Sequence, residues 1–197
     1  MSHYYSKTPD SARSDDIYEA SVKGVSATFV SGSGVFCIGK LDFGSAVLIE
    51  YAQIPEESSI LDLGCGYGPV GIFTKLLHPT TTISFTDVNE RAVAYAKQNC
   101  RKNRVKYKSL VCGDGFESVP ASFDVILLNP PQSAGKDVCD SLIKESANHL
   151  NENGSLHVVV RKNKGGNIII AMLENYFDNY EVLAKKGGFW VIKSIKK

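Results

Sequence analysis

Near residue 58 the chain changes character: beyond it, short apolar runs alternate with amphipathic stretches. Residues 59–63, 82–86, 107–112, 123–128 and 156–160 are rich in Ile, Leu, Val and Phe, as expected of strands buried on both faces. Between and after them, residues 70–77, 89–103, 137–150 and 167–176 carry helical periodicity. Asn89 can cap the second of these helices, whose inner face holds Ala92, Val93, Ala96 and Cys100. His78-Pro79 ends the first helix, and a turn at 151–154 closes the third. Residues 180–184 and 189–195 flank Gly187-Gly188, which predicts an antiparallel pair. The pattern predicts an α/β, Rossmann-like fold: a mostly parallel seven-stranded sheet, helices on both faces and an antiparallel last strand.

Ahead of residue 58, β-branched and aromatic residues from 22 to 37 are interrupted by Gly24, Gly32 and Gly34, which predicts a β-hairpin extension. Residues 44–53 suit a short helix. Residues 1–20 are polar and expected to form a flexible arm, leaving 21–197 as a single domain: hairpin and helix over 21–57, core over 58–197.

Composition narrows the class. A chain of 197 residues with 43% apolar and 22% charged residues fits one globular domain. A formal net charge of +1 points to no partner, so any affinity for nucleic acid must come from local patches. Five cysteines without Cys-x-x-Cys spacing argue against a disulfide framework or a zinc site, and no metal is expected. No stretch has a signal peptide's apolar core or approaches the ~20 apolar residues of a membrane span, so a cytoplasmic location is expected.

Leu61-Asp62-Leu63-Gly64-Cys65-Gly66-Tyr67-Gly68 joins the first core strand to its helix. In open α/β sheets ligands bind at the carboxyl ends of strands, where glycines permit close backbone approach. The dinucleotide pattern Gly-x-Gly-x-x-Gly is broken by Pro69, and Asp62 would repel a pyrophosphate. A cationic ligand such as S-adenosylmethionine suits it better. Asp87, about 20 residues on at the next strand's end, can accept from ribose hydroxyls, or can serve as a charge before a helix N-terminus. Asp114 can bind an adenine amino group or be a turn residue, with Val88 or Phe116 flanking the ring.

The strand at 123–128 runs into Asn129-Pro130-Pro131. Two prolines end the sheet ladder and fix an extended chain. The Asn129 side-chain oxygen and the Pro130 carbonyl then become rigid acceptors, suited to the two hydrogens of an amine on a planar ring. Such an amine is a poor nucleophile, so orientation and electrostatic support must supply much of the rate. A plain proline stop between strand and helix is the alternative.

These motifs together resemble the class I methyltransferases, and more narrowly the methyltransferase small domain family, whose best-known branch methylates guanine N2 in small-subunit ribosomal RNA. The resemblance covers about residues 33–195. It rests on Gly34-Val35-Phe36, Lys40-Leu41-Asp42-x-Gly44, the glycine turn, Asp87, Asn129-Pro130-Pro131 with Gly135, Asn153-Gly154-Ser155-Leu156 and Lys186-Gly187-Gly188-Phe189. It implies S-adenosylmethionine held by Asp62, Gly64, Gly66, Asp87 and Asp114, and a target amine held by Asn129 and Pro130 beside Pro131; Cys65, Gly68, Val88, Phe116 and Asn129 are further candidate cofactor contacts. It also places Phe36 and Lys40 at the substrate entrance. Where many relatives have an aromatic residue after the prolines this chain has Gln132, which can hydrogen-bond a base edge. The bacterial ribosomal enzymes carry a second, degenerate domain; substrate recognition here would fall to one domain, a partner protein or a homodimer.

Two basic stretches can meet RNA phosphates: Lys97 to Lys108, equally readable as a solvated helix face, and Arg161, Lys162 and Lys164 after a later strand. The four histidines lack ligand spacing. The expectation is an S-adenosylmethionine-dependent N-methyltransferase acting on a guanine amine in RNA. Protein glutamine or small-molecule methylation, or a non-catalytic binding subunit, are the alternatives.

Overall fold

The computed structural model describes residues 15–119, 121–131 and 135–197. A hairpin opens the chain, β1 (Asp15–Val22) and β2 (Val25–Gly32), followed by α1 (Phe43–Tyr51). The core then alternates β3 (Ser59–Leu63), α2 (Pro69–Leu77), β4 (Thr82–Asp87), α3 (Glu90–Lys102), β5 (Ser109–Cys112), β6 (Phe123–Leu128), α4 (Lys136–Asn148) and β7 (Leu150–Arg161). A 3-10 turn, α5 (Gly166–Phe177), β8 (Glu181–Lys186) and β9 (Phe189–Ile195) complete it.

The seven-stranded sheet runs β5-β4-β3-β6-β7-β9-β8. β9 is antiparallel to both β7 and β8; the other pairs are parallel. This is the Rossmann-like architecture, mostly parallel with an antiparallel last strand, that the alternating pattern predicts. Central strands send successive residues to opposite cores: Ile60, Val125 and Leu127 pack with α1, α2 and α3, while Leu61, Ile126 and Leu128 pack with α4 and α5. The strand order reverses between β3 and β6, which opens a crevice at their carboxyl ends.

Two local expectations change. The hairpin turns at Lys23-Gly24, both with positive φ, so β1 takes in residues expected in the arm; residues 1–14 lie outside the described ones. The turn expected at 151–154 is an irregularity inside β7, where pairing jumps from Phe123–Leu150 to Val125–Ser155. Gly154 is required there, because a Cβ would lie 2.9 Å from the Asn151 carbonyl and 3.0 Å from that of Phe123.

The hairpin forms its own small sheet and docks on α3 through side-chain amides. Asn99 accepts from Val30 N (2.7 Å) and donates to Val30 O and Tyr67 O (2.9 Å each). One helical turn on, Asn103 repeats the pairing with Thr28, at 2.9 and 2.8 Å. The two amides thus satisfy backbone that a neighbouring strand would otherwise pair. All five cysteines are free, and no helix among the described residues is long and apolar enough to cross a membrane.

Candidate functional site

A cavity of about 610 Å³ lies over the carboxyl ends of the central strands. Its floor is the turn after β3. Gly64 N and Cys65 N both donate to Thr86 O at 2.9 Å, which folds the turn across the tip of β4. Gly64 and Gly66 have φ of 69° and 56°, and a Cβ on either would meet nothing within 4 Å. Glycine is therefore demanded by the backbone twist, and the floor stays open to a ligand.

Two carboxylates stand behind this turn. Asp62 is buried in β3 and accepts from Gly71 N at 2.8 Å. Burial pushes its carboxyl up to about 7; the Gly71 N–H opposes the rise and the Asp87 charge adds to it. Asp87 ends β4 and holds the turn, accepting from Gly66 N (2.7 Å) and Asn89 N (2.8 Å). Burial raises Asp87 as well, against those two N–H donors. Thr86 Oγ1, in the same wall, is buried and has no hydrogen-bond partner among the described residues. Two sequestered carboxylates, an unbonded hydroxyl and a bare backbone floor suit a ligand bearing both a cation and hydroxyls.

Asn129 lies across the cavity at the end of β6. Its Nδ2 donates to Asp42 Oδ2 at 3.2 Å and to Ser45 Oγ at 2.9 Å. A carboxylate only accepts, so the amide nitrogen must face Asp42. The Oδ1 accepts nothing from the described residues and is left as the acceptor on the cavity side. Asp42 also caps α1, accepting from Ser45 N at 2.9 Å, so the cap and the amide orientation share one carboxylate.

Of the other expected site residues, Cys65, Val88, Asp114, Pro130, Pro131, Phe36 and Arg161 line the cavity. The Cys65 thiol is raised well above its ordinary value by burial, with Asp87 and Asp62 adding, which fits a packing role. Gly68 serves as the left-handed N-cap of α2 and is not in the wall. Phe116 needs correction: it is buried in the core and absent from the wall, its ring stacked on His149 with centroids 4.2 Å apart. Lys40 stands on the segment before α1. Its carbonyl accepts from Tyr67 Oη at 2.9 Å, while its exposed side chain is outside the wall. Lys162 is likewise outside the wall, with Nζ 5.6 Å above the Trp190 ring. Gln132 lies outside the described residues. The basic stretch from Lys97 to Lys108 spans the last turns of α3 and the segment leading into β5, at the opposite end of the sheet from the cavity.

Sequence reasoning missed Ser45, Asp42 as an orienting group, and Phe189. Their signal lay in two motifs whose glycines make room for aromatic rings. A Cβ on Gly44 would lie 2.9 Å from Phe189 Cε1, and one on Gly187 2.4 Å from Phe43 Cε1. The start of α1 and the β8–β9 tip therefore interlock, with Phe43 and Phe189 5.7 Å apart between centroids.

The methyltransferase small domain family matches residues 26–193. The chain is 39% identical to the "Uncharacterized protein YbxB" of Bacillus subtilis over 98% of both. It is 30% identical to the ribosomal RNA small subunit methyltransferase C of Pseudoalteromonas translucida, over 90% of this chain and 52% of that protein. The chain thus spans about half the length of the ribosomal RNA methyltransferases that it matches. Among solved structures, the T. thermophilus 16S rRNA N2 methyltransferase in complex with AdoMet and guanosine superposes with a TM-score of 0.81 at 22% identity, covering 96% of this chain and 52% of that one.

Proposed function

Because the chain belongs to the methyltransferase small domain family, we propose that it methylates the exocyclic N2 amine of a guanine in RNA, using S-adenosylmethionine. The observation that carries this reading is the tethered amide of Asn129. With Nδ2 committed to Asp42 and Ser45, Oδ1 is held as an acceptor in the same cavity as the glycine turn.

The residues fit the cofactor. Asp62 and the open turn at Gly64 and Gly66 would take its aminoacyl end, Asp87 its ribose, and Val88 and Asp114 its adenine. Bound there, S-adenosylmethionine supplies a methyl group on a sulfonium that departs as a neutral thioether. Asn129 Oδ1 and the Pro130 carbonyl accept the two hydrogens of the target amine, which turns the nitrogen lone pair toward the methyl carbon. As the N–C bond forms and the C–S bond breaks, both acceptors stabilise the positive charge growing on nitrogen. Neither is basic enough to keep the proton, which passes to water. Phe36, 41% exposed at the cavity edge, would border the entering base.

The test is incubation with methyl-labelled cofactor and ribosomal RNA, followed by digestion to nucleosides. Label in N2-methylguanosine is expected. Label in protein would replace the reading with glutamine methylation, and cofactor binding without any label would replace it with a binding subunit.

A further inference from the structure

The β8–β9 hairpin ends in Lys185-Lys186-Gly187-Gly188-Phe189-Trp190, beside the carboxyl end of β7. The tip is held there by Lys162 N donating to Gly188 O at 2.9 Å. Because neighbouring strand residues face opposite sides, Phe189 and Lys186 look toward α1 and Trp190 and Lys185 toward α5. Each side pairs cations with rings. Arg161 Cζ lies 5.0 Å from the Phe189 centroid, and Lys186 Nζ 5.5 Å from that of Tyr51. Lys162 and Lys185 both stand over Trp190, at 5.6 and 5.1 Å.

The charge at this tip is lopsided. Lys186 is bonded to Glu50 at 2.8 Å, but Arg161, Lys162 and Lys185 make no ion pair among the described residues. The strip is also continuous with the site: Arg161 and Phe189 are cavity wall, and Lys162 follows Arg161 directly. Trp190 packs one flank against Gly166 of α5, whose Cβ position would be 3.7 Å from the indole, and it is half-buried.

We propose that this tip, with Arg161 and Lys162, is the docking surface for the single-stranded RNA that flanks the target nucleotide. The proposal rests on the RNA reading above. Unpaired cations at a cavity mouth favour a polyanion, and each phosphate contacted releases counterions. Rings add what a phosphate does not use: a face for an unpaired base. A lysine over a ring sits on a flexible stem. It can swing to a phosphate as a base takes the ring face, so both partners stay satisfied. A duplex hides its base faces and would use only the cations, hence the preference for a single strand.

Trp190 is the chain's only tryptophan, so its emission reports stacking directly. With the protein saturated in S-adenosylhomocysteine, titration with an unstructured guanine-containing oligoribonucleotide should quench Trp190, and a duplex of equal length should quench far less. Lys185→Glu and Lys162→Glu should each weaken oligonucleotide binding roughly tenfold and flatten its salt dependence by about one phosphate contact. Affinity for S-adenosylhomocysteine should be retained, which shows the variants folded. Equal quenching by duplex, or full RNA binding by both variants with unchanged emission, overturns the proposal. Methyl label measured on the same oligonucleotide separates the two ideas. Label with silent Trp190 emission sinks the docking surface and leaves the RNA reading standing. Quenching without label, here or in ribosomal RNA, does the reverse.

Discussion

Ser45 Oγ accepts from Asn129 Nδ2 at 2.9 Å and thereby joins the first turn of α1 to the end of β6. Helix and strand are 84 residues apart in sequence. The bond, with the one to Asp42, decides which atom of the amide faces the cavity. Ser45→Ala removes one of two restraints, worth about 1–1.5 kcal/mol, and should lower kcat roughly tenfold. The KM for S-adenosylmethionine should stay nearly constant, because Ser45 acts on the acceptor for the amine. Ser45→Thr keeps the hydroxyl and should recover most of the rate. Steady-state kinetics with both substrates varied decides it, and equal losses in kcat and cofactor affinity would refute the orienting role.

Asp62 should make cofactor affinity depend on pH. Burial raises its carboxyl to about 7, well above the ordinary carboxylate range. Folding therefore favours the protonated form, and this group's contribution to the ligand-free protein's stability declines as pH rises from about 4 toward 7. A ligand with an ammonium group prefers the ionised form. Affinity for S-adenosylhomocysteine should then fall up to about tenfold per unit as pH drops below 7, and level off above it. Calorimetric titrations from pH 5 to 8 check this. In Asp62→Asn the slope should vanish and binding should be weak throughout.

The fold was legible because the central strands are buried on both faces and therefore read as continuous apolar runs. Leu61 and Leu128 needed no pairing information to be placed in strands. The hairpin was misplaced because three glycines compete for its turn, and what fixes Lys23-Gly24 is the distant pairing of Asn99 and Asn103 with β2. Asp62, Asp87 and Asn129 were legible because each ends a strand. Ser45 was not: nothing in the local sequence of α1 shows that its first turn meets β6. Phe116 was misread for a related reason, since nothing near it in sequence shows that its ring packs on His149, 33 residues on.

Gly71 sets helix propensity against space. In an open helix Gly→Ala gains about 1 kcal/mol. Here the new methyl would lie 2.2 Å from Phe85 Cε1 and 3.0 Å from Asp62 Oδ2. The Phe85 ring is fully buried in β4 and has nowhere to retreat. Overpacking should win, with a net loss of about 1–3 kcal/mol in urea unfolding and weaker cofactor binding as Asp62 is displaced. A Gly71→Ala protein as stable as the parent would mean that α2 can slide away from the sheet.

Asn99 offers the sharpest test of how the hairpin is held. It is fully buried on α3, and its amide serves Val30 N, Val30 O and Tyr67 O at 2.7 to 2.9 Å. Asn99→Ala leaves three buried backbone groups unpaired at about 1 kcal/mol or more each, so a loss of roughly 3–5 kcal/mol is expected. Asn99→Asp should do no better. It keeps the acceptor for Val30 N but sets a buried charge against two carbonyl oxygens. Because Tyr18 Oη and Tyr67 Oη are 2.7 Å apart, and Tyr67 Oη also donates to Lys40 O, loosening β2 should spread to the segment that carries Phe36. Hydrogen exchange at Val30 and nearby amides should quicken well beyond that at Ile60 or Leu127 in the central sheet. Uniform acceleration across both regions would show instead that hairpin and sheet unfold as one unit.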